Sequence, residues 1–189
     1  QAILELLEAP EPLGALLHFA LYTLASFAER LPESRSSLVR VLLSSTVDSA
    51  IRIEVAWALR KVATDTRVHP ALVRVLGDSS SQSEVRIAAV RAIAYGDRGA
   101  APVLLRTFLD AKAPTEIRIA AGEALRGGSS IATPEILLSL AADSSTPMEV
   151  RVHAVKMCGD IESHAALSGL LDILATKGAD VELREASAE

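Results

Sequence analysis

Between Ser83 and Tyr95 the apolar positions Val85, Ala88, Ala89, Ala92 and Ile93 fall three and four residues apart, the spacing that gives a helix one buried face. Gly96-Asp97-Arg98-Gly99 follows and predicts a stop, with glycine free to take the left-handed conformation of a helix end. A second apolar block, Ala101 to Asp110, carries Pro102 near its start, where a missing N–H costs little. The same pairing of a first helix (A) and a second helix (B) recurs along the chain. Further B helices are expected at Ser37 to Leu43, Pro134 to Ala142 and His164 to Ala175, and Gly127-Gly128 and Gly159-Asp160 are read as further stops.

The start of helix A is nearly a fixed phrase. Glu84-Val85-Arg86-Ile87-Ala88-Ala89, Glu116-Ile117-Arg118-Ile119-Ala120-Ala121, Glu149-Val150-Arg151-Val152-His153-Ala154 and Glu182-Leu183-Arg184-Glu185-Ala186 are versions of it, with Ile51-Arg52-Ile53-Glu54-Val55-Ala56 a looser one. Its arginines stand at 52, 86, 118, 151 and 184, in steps of 34, 32, 33 and 33 residues. Helix pairs at one fixed period predict an all-α protein, an α–α superhelix built as a right-handed solenoid of repeats of about 33 residues. Ala2 to Glu8 aligns with a B helix and Leu17 to Ala25 with an A helix, His18 standing where an arginine would be. Residues 1–189 are therefore expected to form a single array, a segment of a longer solenoid with partial repeats at both ends.

Asp78, Asp110 and Asp143 each precede an arginine of the series by eight residues. That spacing predicts an internal ladder in which Asp78 pairs with Arg86, Asp110 with Arg118 and Asp143 with Arg151, each arginine also reaching a carbonyl at the tip of the preceding helix. Removing Arg118 should then lower stability by about 1–3 kcal/mol through an unpaired buried carboxylate. Ser81-Gln82-Ser83-Glu84 and Thr146-Pro147-Met148-Glu149 match the capping box, which closes the first turn of a helix reciprocally.

The pattern Val-Arg-x-x-Ala-x-x-Ala-Leu, preceded by an acidic turn and followed by Gly or Gly-Asp, resembles HEAT repeats. It is most similar to the short HEAT-like type of the phycobilin lyases, as in Glu116 to Leu125 and Glu84 to Asp97. The Glu-Val-Arg-Ile-Ala-Ala phrase is also similar to the helical domain of large lipid-transfer proteins. The resemblance implies a HEAT-like fold over nearly the whole chain, with B helices lining a concave face. Such a fold leads us to expect a non-catalytic scaffold that binds a protein or peptide, with no enzyme activity and no cofactor. Three alternatives come with the resemblance: a bilin-lyase-like subunit, a HEAT-like DNA glycosylase, and the helical domain of a lipid-transfer protein.

Charge narrows the partner. Residues 30–126 hold fifteen Lys/Arg against ten Asp/Glu, while residues 127–189 hold four against ten and residues 1–29 none against four. The mildly basic middle falls short of a nucleic-acid footprint, so nucleic acid is not expected. Hydrophobic residues make up 50% of the chain but aromatics only 3%, which suits closely packed helices. The apolar runs are too short to span a bilayer. The single cysteine, Cys158, rules out an internal disulfide and reads as a small core residue, favouring a reducing, cytoplasmic compartment.

Candidate contact residues are those that break the repeat. Aligned on helix B, Arg40, Arg74, Arg106 or Thr107, Ser139 and Asp172 form a row grading from basic to acidic. Five residues past the repeat arginines stand Trp57, Arg91, Glu123 and Lys156, so Trp57 puts a ring at an otherwise polar register. Trp57, Arg40, Arg74 and Arg106 are the binding candidates. His18, His69, His153 and His164 are scattered without metal-ligand spacing, and no metal site, phosphate loop or nucleophile elbow is read.

Overall fold

The computed structural model describes residues 21–23, 26–96, 98–126, 131–176, 178 and 180–188. The expected helix at Ala2 to Glu8 lies outside these, as do residues 17–20, 24 and 25 of the one at Leu17 to Ala25, and Asp97 and Gly127-Gly128 of the expected stops. Among the described residues the chain is all helical, without a strand. It divides into two compact units, Gln1–Ala100 and Ala101–Glu189.

In the first unit, α1 (Pro32–Leu43) and α3 (Val68–Gly77) are B helices, and α2 (Ser49–Leu59) and α4 (Ser83–Gly96) are A helices. A short 3-10 turn, Arg60–Val62, continues α2. Helix α3 shows the amphipathic logic plainly: Val68, Ala71, Leu72, Val75 and Leu76 are buried, one stripe at three- and four-residue spacing. Helix α4 buries a wider band, Val85, Ala88, Ala89, Val90, Ala92 and Ile93, because it packs against both α2 and α3. Like layers meet as well, α1 against α3 and α2 against α4, so the unit is a two-layered stack of helix pairs. The alanines of the A helices let their axes approach closely.

The second unit repeats this order with α5 (Ala101–Leu109), α6 (Thr115–Arg126), α7 (Pro134–Ala142), α8 (Met148–Gly159), α9 (His164–Ala175) and α10 (Val181–Ala188). Each B helix packs on the next A helix, α6 packs on α8 and α8 on α10. Gly122 is buried on α6, and a β-carbon there would come within 2.7 Å of His153 Cδ2 and 3.0 Å of Phe108 Cε2. Helix α9 buries only Ala166, leaving Leu167 and Leu171 exposed.

Two local expectations are corrected. Gly159 does not end α8 in a left-handed turn: it is the last helical residue, and Asp160 caps the helix at φ −73° and ψ −8°. Thr146 does not cap α8 either, since Pro147 is the N-cap and no side chain closes it. The Thr146 hydroxyl turns back to Asp143 Oδ2 at 2.8 Å, as Ser81 does to Asp78 Oδ2 at 2.7 Å. Each hydroxyl donates to the carboxylate three residues back, a charge-assisted bond that fixes where it points.

Candidate functional site

The repeated arginine is the fourth residue of each A helix from α2 to α8, which points its long stem back at the B helix just completed. Its Nε donates to the carbonyl ten residues earlier: Arg52 to Leu42 at 2.9 Å, Arg86 to Leu76 at 2.9 Å, Arg118 to Phe108 at 2.9 Å, and Arg151 to Ala141 at 2.7 Å. Each acceptor is the penultimate residue of its helix. Carbonyls there lack an intrahelical donor, and the negative end of the helix dipole favours a cation. The four joints are thus the same device built four times.

The aspartates eight residues before Arg86, Arg118 and Arg151 form no direct bond with them. Asp78 closes its own turn, its Oδ1 accepting from the Ser80 amide at 3.0 Å and hydroxyl at 2.6 Å. Asp143 does the same with the Ser145 amide at 2.9 Å and hydroxyl at 2.7 Å. Asp110 accepts from the Lys112 amide at 2.9 Å. The expected pairs Asp78–Arg86, Asp110–Arg118 and Asp143–Arg151 are therefore replaced by Asx turns, which an aspartate makes without ordering a second long side chain. The Ser80 hydroxyl, then that of Ser81, hold the Asp78 carboxyl down at about 2. Ser145 leads the same depression at Asp143.

At two of the four joints the arginine also reaches the following repeat. Arg52 Nη2 donates to the Ser81 hydroxyl at 2.9 Å, which passes the contact to Asp78 of the following turn. Arg151 Nη1 meets Asp180 Oδ2 directly at 3.0 Å. Arg118 breaks this pattern: it is 2% exposed, yet its Nη2 is buried without a partner. Burial pushes its pKa down, with Asp110 and then Asp143 opposing.

Arg40, Arg74 and Arg106 are all exposed on their B helices. Arg40 and Arg74 belong to the first unit and Arg106 to the second. Arg74 stands at a polar cleft of about 490 Å³ in the first unit, lined also by Leu43, Ser45, Arg52, Asp78 and Ser80. In the second unit a more apolar cleft of about 450 Å³ runs along Leu138, Gly169, Ile173 and Leu183, with the Arg151–Asp180 pair at its wall.

Trp57 is 38% exposed, and it is not alone. Arg60 donates its Nη1 to the Trp57 carbonyl at 2.7 Å and lays its guanidinium 5.6 Å from the centre of the Trp57 ring. The same guanidinium lies 5.3 Å from the ring of Tyr95, which is 63% exposed. Sequence reasoning found Trp57 and missed Arg60 and Tyr95. Tyr95 and Lys61 stand 34 residues apart in one register, and counting that register would have shown the departure.

The remaining reactive groups are internal. Cys158 is fully buried, and desolvation pushes its thiol pKa up. His153 packs its ring edge-on against Phe108, centroids 6.1 Å apart, with Nε2 buried and unpartnered. Desolvation pushes its pKa down. Among the described residues no three His, Cys, Asp or Glu side chains converge as metal ligands, and no helix is long and apolar enough to cross a membrane.

A family model described as the vitellogenin TPR domain matches residues 18–97, which lie within the first unit. Among the described residues the chain is an all-helical assembly of packed helix pairs. Over its whole length it is similar to the solved structure of human deoxyhypusine hydroxylase in complex with glycerol, at 20% identity and a TM-score of 0.56, covering 100% of this chain and 82% of that one. No curated protein matches the sequence. The structural likeness corrects the expectation of a non-catalytic scaffold that is no enzyme: an enzyme is built on this fold across the full span of the chain, so a helical array of this kind does not exclude catalysis. At 20% identity it carries the fold alone, and none of that enzyme's chemistry passes to these residues.

Proposed function

We propose that residues 1–189 are a stretch of the helical domain of a large lipid-transfer protein. The carrying observation is the vitellogenin-type match over residues 18–97, which contains the arginine-jointed pairs α1 to α4. On this reading the array is a right-handed α–α superhelix of HEAT-like repeats of about 33 residues, part of a longer solenoid. Its work is to hold and cover a lipid-binding region contributed by other parts of the same protein. Arg40, Arg74 and Arg106, exposed and without a hydrogen-bonding partner among the described residues, are the places where we put contact with those parts. The reading implies a secreted protein in place of the cytoplasmic one expected from a single cysteine.

The test is the lipid content of the protein expressed from its complete reading frame. Solvent extraction and mass spectrometry should find phospholipid or neutral lipid in stoichiometric amount, together with a β-rich region beyond the array. Full-length protein free of lipid would overturn the reading. A coloured tetrapyrrole in the extract would replace it with the bilin-lyase-like alternative. Turnover of a modified-lysine substrate would replace it with an enzyme of the kind its structural neighbour represents.

A further inference from the structure

In the first unit the outward registers of the A helices carry rings and cations in alternation. Residues 27, 61 and 95 stand 34 apart, as do 57 and 91, and they read Phe27, Lys61, Tyr95 and Trp57, Arg91. All five are exposed. Trp57 and Lys61, and again Arg91 and Tyr95, are four residues apart and so share a helix face. Arg60 joins the two helix ends, its guanidinium between the rings of Trp57 and Tyr95. Lys61 also reaches across to Glu29 at 2.9 Å, two residues beyond Phe27 in the chain.

Placing rings here runs against the usual economy of a fold, because aromatic side chains bury more area than any other. Four of the chain's six aromatic residues, Tyr22, Phe27, Trp57 and Tyr95, are nonetheless exposed, and all four belong to the first unit. The matching registers of the second unit hold Glu123, Lys156 and Asp160 at described positions, with no ring. The patch is therefore a property of one unit and not of the repeat.

Rings interleaved with cations fit one kind of surface well. Trp and Tyr settle at headgroup depth in a bilayer, apolar body inward and polar edge outward. Arg and Lys lay their stems along apolar material and extend the charge to phosphate. With Lys61 engaged by Glu29, the guanidinium groups of Arg60 and Arg91 supply the charge that an anionic headgroup layer complements. We propose that this face docks on an anionic phospholipid surface, a step that rests on the lipid-transfer reading and gives it the place where protein and membrane meet.

Trp57 is the only tryptophan in the chain and reports the event directly. Residues 1–189 would be mixed with vesicles of phosphatidylcholine alone or with phosphatidylserine, each with or without brominated phosphatidylcholine as a depth-dependent quencher. We expect saturable binding to the serine-containing vesicles and quenching of Trp57 by the brominated lipid. Arg60→Gln and Arg91→Gln should each weaken partitioning about five-fold, the loss of one cation near an anionic surface. Tyr95→Ala should weaken it too, with circular dichroism confirming the fold of all three variants. Absence of binding, equal binding to pure phosphatidylcholine, or bound protein whose Trp57 stays unquenched would each overturn the proposal. So would a blocked glutamate-rich peptide that shifts Trp57 emission as far as vesicles do, since the face would then belong to a protein partner. Lipid in the full-length protein and docking by this face are measured separately, so either can fail while the other stands.

Discussion

Arg118 is the more deeply buried of two equivalent arginines, yet replacing Arg52 should do more damage. The comparison uses methionine, which keeps most of the stem and its packing while removing the guanidinium. In Arg52→Met two bonds vanish: Nε to the Leu42 carbonyl and Nη2 to Ser81, both at 2.9 Å. The carbonyl of Leu42, a residue 0% exposed and penultimate in α1, is then left without its donor. Leaving that acceptor unsatisfied costs about 1–3 kcal/mol, and the lost cation at a helix end adds about 0.3–1 kcal/mol. With the Ser81 contact gone as well, roughly 2–4 kcal/mol is expected. Arg118→Met loses the same bond to a penultimate carbonyl, that of Phe108. It also relieves the cost of burying Nη2 without a partner, about 1–3 kcal/mol of opposite sign, so the net loss should be near 1 kcal/mol or less. Urea unfolding followed by helical ellipticity gives the two midpoints, and hydrogen exchange assigns each loss to its own unit. If Arg118→Met proves as costly as Arg52→Met, or costlier, the orphaned Nη2 is no liability and the reasoning fails.

Three further outcomes follow from the same structure. His153 has its pKa lowered by burial, so its neutral form contributes stability that is full above the unfolded value of 6.5 and is lost as pH falls through the lower folded value; His153→Leu should flatten the decline of thermal midpoint between pH 7 and 5, and an unchanged slope would refute it. The Asp65, Asp78, Asp143 and Asp160 carboxylates are held low, so their contribution should survive to about pH 4 and disappear only as pH falls below the unfolded value of 3.8, seen as a second, separate step of acid unfolding. Gly122→Ala gains helix propensity of about 1 kcal/mol but forces His153 and Phe108 apart at a cost of about 1–3 kcal/mol, so denaturant midpoints should fall, and pairing it with His153→Ala should restore them.

Helices and period were legible because they are written in side-chain identity: apolar residues at three and four, and an arginine every 32 to 34 positions. That the arginine reaches a carbonyl at the tip of the preceding helix was legible too, but which residue supplies it was not, for a physical reason. It is a backbone carbonyl, which every residue owns, and only the geometry of a helix end singles out Leu42, Leu76, Phe108 and Ala141. The aspartate eight residues earlier was a visible charge and so drew the pairing. Yet Asp78-Ser79-Ser80-Ser81 and Asp143-Ser144-Ser145-Thr146 already carried the composition of a turn that satisfies its own carboxylate. The candidate face divides the same way. Trp57 was readable as a ring in a polar register, while Tyr95 was hidden because it stands at the end of a helix read as a joint. Only Arg60, in a 3-10 turn whose course the helical period does not predict, brings the two rings to one cation. A repeat makes its joints easy to see and its surface hard. The joints are held by what recurs, and the surface works through departures that acquire meaning when a neighbouring helix places them side by side.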